Sequence, residues 1–85
     1  SNNLVYIVYP VPVTDILNIR LGNIITNAKI TISTNTGRLE LIKNFSINND
    51  NERLVKLDLT GLSGGTYVLQ VDANGANYKQ LFIKY

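Results

Sequence analysis

From Leu17 onward, apolar residues return at every second position in run after run, and that period of two limits the fold more than any other feature of the chain. Successive side chains of a strand point to opposite faces, so such alternation marks a strand with one buried side; a helix would need a spacing of three and four. Leu17, Ile19 and Leu21 alternate with Asn18 and Arg20, and Ile30 and Ile32 with Lys29, Thr31 and Ser33. Leu39 and Leu41 follow a turn at Asn35-Thr36-Gly37, and Val55, Leu57 and Leu59 alternate with Lys56 and Asp58. Tyr67, Leu69, Val71 and Ala73 oppose Thr66, Val68, Gln70 and Asp72 until Ala73-Asn74-Gly75-Ala76, where an Asn-Gly pair signals a hairpin. With an opening run at Leu4 to Val8 and a closing one at Tyr78 to Ile83, about seven short strands result. Their spacing predicts an all-β, Ig-like antiparallel sandwich of two sheets.

No helix is required by this pattern. Residues 22–27 have room for one helical turn, but the β-branched Ile24 and Ile25 favour a connecting loop. The closing run carries apolar residues on both faces, Leu81 beside Phe82, which predicts a strand covered twice or one whose outer face meets another molecule.

Eighty-five residues make one domain with one core, spanning 1–85, with Ser1-Asn2-Asn3 either native linker or a cloning remnant. Hydrophobic residues at 45% and charged residues at 16% place the chain with globular domains. Cysteine is absent, so packing and backbone pairing must supply the stability. The net charge of +2 comes from scattered cations interleaved with acids, which argues against a nucleic-acid partner. No run is long enough for a membrane span.

Both prolines fall in Tyr9-Pro10-Val11-Pro12. Proline fixes its own φ and favours extended geometry in the preceding residue, which predicts a stiff, extended rod unable to sit within a sheet. Such a rod belongs where a first edge strand leaves one sheet and crosses over, delivering Val13 to Ile19 into the other.

Without His or Cys, no Ser-His-Asp, Cys-His or histidine metal arrangement can be assembled, so no catalysis is expected. The carboxylates Asp15, Glu40, Asp50, Glu52, Asp58 and Asp72 would need a cleft that a small sandwich does not offer. Asn48-Asn49-Asp50-Asn51-Glu52 is rich in oxygen but lacks the spacing of a calcium loop, and reads as a hairpin loop of ordinary turn formers. No cofactor or metal is expected. Gly37-Arg38 reads as a turn glycine followed by a solvated cation; the alternative is an Arg whose stem packs on a Tyr while it donates to loop carbonyls. Tyr67, two residues past Gly65 and after Leu59-Thr60-Gly61-Leu62, fits a tyrosine corner.

Four ordered stretches together resemble a known family, the type A C-terminal sorting domain of the type IX secretion system of Bacteroidota. They are Tyr9-Pro10-x-Pro12-Val13-x-Asp15-x-Leu17-x-Ile19, then Gly37-Arg38, then Leu59-x-Gly61-Leu62-x-x-Gly65-x-Tyr67-x-Leu69-x-Val71, and finally Phe82-Ile83-Lys84. Val11 stands where the family usually has Asn between the prolines. The resemblance implies a secretion signal that directs a fused N-terminal cargo through the periplasm to the outer-membrane surface or extracellular space. It also implies translocon, shuttle and sortase-like partners, removal upstream of the folded domain (before or within residues 1–4), and surface attachment of the cargo. On this reading the binding residues are Tyr9, Pro10, Pro12, Asp15, Gly37, Arg38, Gly61, Gly65 and Tyr67, with Lys79, Phe82, Ile83 and Lys84 of the final strand, whose open edge could also pair with a second copy. The competing reading is an accessory carbohydrate-binding or adhesion module, which would show a planar aromatic patch or an acidic calcium cluster.

Overall fold

A computed structural model describes residues 5–22 and 25–85, without the side chains of Tyr6 and Asp50. Residues 1–4, where the resemblance places removal, and residues 23 and 24 of the loop at 22–27 lie outside that description. Among the described residues seven strands form: β1 Val5–Tyr9, β2 Ile16–Leu21, β3 Asn27–Thr34, β4 Leu39–Ser46, β5 Leu54–Asp58, β6 Gly65–Ala73 and β7 Ala76–Lys84. They build two antiparallel sheets, one of three strands in the order β1-β2-β5 and one of four in the order β4-β3-β6-β7. In the constant-type immunoglobulin arrangement the fourth strand joins the first sheet; here β4 folds back on β3 and joins the second.

The alternation read from the sequence sets which faces meet. Leu17, Ile19 and Leu21, Ile30 and Ile32, Val55 and Leu57, and Leu69 and Val71 are all buried between the sheets. Each such side chain contributes about 1.5–3 kcal/mol by leaving water. Leu39 departs from the expected alternation: it is more than half exposed, because a bulge between Ile32 and Ser33 shifts the register and pairs it with outward-facing Ser33.

Two loop expectations are corrected. Residues 48–52 do not form a hairpin loop; they lie on the passage from β4 in one sheet to β5 in the other, and Asp50–Arg53 make one 3-10 turn. Asn49 starts that turn by accepting from the Asn51 amide, so a local side-chain bond decides what the strand periodicity could not show.

The proline segment is also not an extended rod delivering β2 to the second sheet. Both X–Pro bonds are cis, the chain bends through residues 10–12, and β1 and β2 are neighbours in one sheet. The weak trans preference of an X–Pro amide leaves the isomer to its surroundings, which local sequence does not reveal. The segment nevertheless touches both sheets: between the two strands, Val13 swings across and forms a one-residue parallel bridge to Lys84 of β7.

Candidate functional site

The connectivity brings dispersed residues to one end of the sandwich. At that end β1 stops at Tyr9 and β2 starts at Ile16, opposite Asp58 of β5. In the second sheet β3 finishes and β4 begins around the Gly37 turn, Thr34 of β3 lies opposite Tyr67 of β6, and Gly65 of β6 lies opposite Lys84 of β7. All four motif stretches are therefore gathered at the same pole, while Val5, where the described chain begins, pairs with Leu21 at the other.

Backbone bonds tie this pole together. The Val13 amide donates to Ile83 O at 2.9 Å, and Tyr85 N donates back to Val13 O at 3.0 Å. Leu59 N donates to Asp15 O at 2.8 Å, which fastens the end of β5 to the proline segment. The Tyr67 hydroxyl donates to Ser63 O at 2.5 Å, the tyrosine corner expected from its position at the start of a strand after a turn. Its ring stacks on Phe82 at 5.8 Å. Gly64 lets the chain end approach closely: a β-carbon there would stand 3.3 Å from Lys84 O and 3.4 Å from the Tyr85 carbonyl carbon.

The motif residues divide by exposure. Tyr9, Pro10, Pro12, Asp15, Gly37, Arg38, Gly61, Gly65 and Ile83 are exposed at this pole, as is Lys79 farther along β7. Tyr67 and Phe82 lie in the core. Lys84 is also largely buried; its Nζ donates to Tyr85 O while its position on β7 faces inward opposite Gly65. Gly37 holds φ at 98°, a conformation that L side chains rarely adopt, and closes the turn by donating to Thr34 O. Arg38 is the solvated cation of the simpler reading, its Nε 3.1 Å from Glu40 Oε2. The guanidinium that does donate to loop carbonyls is Arg53, to Gly22 O at 2.7 Å and Ile25 O at 2.8 Å at the opposite pole. Sequence reading alone does not single out Val13, Ser63 and Gly64 at the motif pole, nor Arg53 at the opposite one. Val13, an apolar residue directly after the prolines, and the Gly64-Gly65 doublet carried a usable signal, whereas Ser63 and Arg53 act only through folded geometry.

The profile of the secretion system C-terminal sorting domain family matches residues 7–85. The chain belongs to that family. It is a sorting domain of the type IX system, a secretion signal for cargo proteins, and the family is not enzymatic. Among curated proteins nothing matches the chain. Membership implies that the sorting domain interacts with secretion machinery and that its cargo is secreted. One hollow lies among the described residues. It is an open depression of about 560 Å3 at the pole opposite the motifs, whose one lining carboxylate, Asp72, accepts from Gln70 of the same strand.

Proposed function

We propose that the motif pole of this sorting domain is the surface that the type IX translocon or its shuttle reads. Supporting this is the convergence of four separated stretches at one end of the sandwich, with the N-terminal side of the domain at the other. A cargo fused to that side leaves from the far pole, so the machinery can hold one end while the cargo hangs from the other. The surface offered comprises the bent Tyr9–Pro12 segment, the Gly37-Arg38 turn, the Gly61 turn and the outward side chain of Ile83. Buried Phe82 and Lys84 act by holding the end of the strand in place, and Lys79 extends the surface along it. Passage runs through the periplasm to the outer-membrane surface or the extracellular space. A sortase-like peptidase then removes the domain upstream of β1, and the cargo becomes attached to the cell surface.

A fluorescent cargo with its own inner-membrane export signal, fused ahead of the 85 residues in a host with an intact type IX system, tests this reading. The expected result is reporter outside the cell, periplasmic retention when the translocon is absent, and at least partial retention for Arg38→Glu combined with Ile83→Asn. Release by the translocon-deficient strain, or by a cargo lacking the domain, would overturn the proposal.

A further inference from the structure

The four edge strands of the sandwich are unequal. β1 pairs through an irregular register, β4 is bulged against β3, and β5 has only five residues. β7 pairs with β6 without a break from Ala76 to Lys84, and among the described residues no strand covers its other edge. A long, regular, uncovered edge is the kind that accepts another strand.

The backbone shows which groups wait there. Ala73 and Ala76 flank a two-residue turn, so even-numbered residues of β7 bond to β6 and odd-numbered ones point outward. Val13 uses that outward row at its last step, bonding Ile83 O and Tyr85 N in parallel fashion. The amides and carbonyls of Asn77, Lys79 and Leu81 continue the row beyond Val13. On the outer face, Leu81 is 63% and Ile83 48% exposed, next to partly buried Val68 of β6.

Charge separates the occupants this edge could take. Residues 76–85 contain Lys79 and Lys84 and no carboxylate side chain. Lys79 lies opposite Gln70, whose amide is already donated to Asp72, and Lys79 joins no ion pair among the described residues. With Val13 closing the end of the edge, antiparallel pairing of two copies over Ala76 to Phe82 centres on Lys79 and sets the two ammonium groups against each other. Like charges directly opposite are destabilising.

We propose that the free edge of β7 is a strand-addition site for an extended segment of the secretion machinery, with a carboxylate beside Lys79 and an apolar residue beside Leu81. Main-chain bonds to Asn77, Lys79 and Leu81 would supply affinity, and alternate side chains on the outer face specificity. The proposal rests on the sorting reading above.

The test uses the cargo fusion with Leu81→Pro, which removes one outward donor and leaves the β6 ladder intact, as proline is tolerated on an edge. Lys79→Glu is the second variant, and Lys56→Glu at an exposed position of β5 is the control with the same change in charge. Expected is at least a tenfold fall in export for Leu81→Pro and Lys79→Glu, each with a melting temperature near that of the parent, and parental export for Lys56→Glu. If Leu81→Pro fails to fold, Lys79→Glu decides alone. Parental export by a folded Leu81→Pro or by Lys79→Glu overturns the proposal, as does a domain that dimerises in solution through this edge and becomes monomeric on Leu81→Pro. If the parent fusion itself stays inside the cell, the sorting reading fails first.

Discussion

At the residue scale, single polar groups at the turns secure the ends of the strands. The Tyr67 hydroxyl satisfies Ser63 O across the loop between β5 and β6. Removing one partner of such a bond leaves the other unsatisfied, so Tyr67→Phe should lower the unfolding free energy by about 1–3 kcal/mol in urea titration. Unchanged stability would show that water replaces the hydroxyl. The Asp58 carboxylate is held below its ordinary value of 3.8 by the Thr60 amide and then by the Thr60 hydroxyl, at 3.0 and 2.7 Å, with Lys43 adding to the pull. Both donors favour the charged form. A carboxyl lowered on folding stabilises the fold above its unfolded value, and that contribution is lost as the pH falls through the lower folded value. Stability should therefore drop below pH 3.8, and Asp58→Ala should flatten that part of the pH profile in urea titrations.

At the element scale, the β6–β7 hairpin combines local and long-range determinants. Its turn places Asn74 at φ 54° and Gly75 at φ 76°, the paired positive values that a type I′ hairpin turn requires. A β-carbon on Gly75 would meet nothing within 4 Å, so Gly75→Ala tests the conformational cost without a clash. It should cost about 1–2 kcal/mol, read from thermal melting. This hairpin was legible because Asn-Gly between two alternating runs specifies turn and register together. β4 was less legible: Leu39 and Leu41 look alike in sequence, yet the bulge opposite Ser33 turns one outward and leaves the other against the core. A bulge changes which residues face each other without leaving a local signature at Leu39.

At the scale of the whole molecule, three passages cross between the sheets, and a fourth connection, the proline segment, returns to its own sheet after touching the other. Val13, fully buried, joins the sheets at that contact. Val13→Pro removes its donor to Ile83 O, which should cost about 1–3 kcal/mol. It should also speed hydrogen exchange at the Tyr85 amide, which bonds Val13 O. Retained protection at Tyr85 would mean that Val13 O still accepts its amide in the variant.

The sequence by itself determined the β class, the number of strands, the buried face of most of them, the Asn-Gly hairpin and the tyrosine corner. Each depends on a period of two or on turn chemistry within a few residues, and both are local. Only the tertiary structure decided that the prolines bend between two strands of one sheet, that Arg53 and not Arg38 grips loop carbonyls, and that motifs far apart in the chain share one pole. Those outcomes depend on contacts between residues tens of positions apart, such as Val13 with Lys84, and such contacts exist only once the two sheets have closed on a common core.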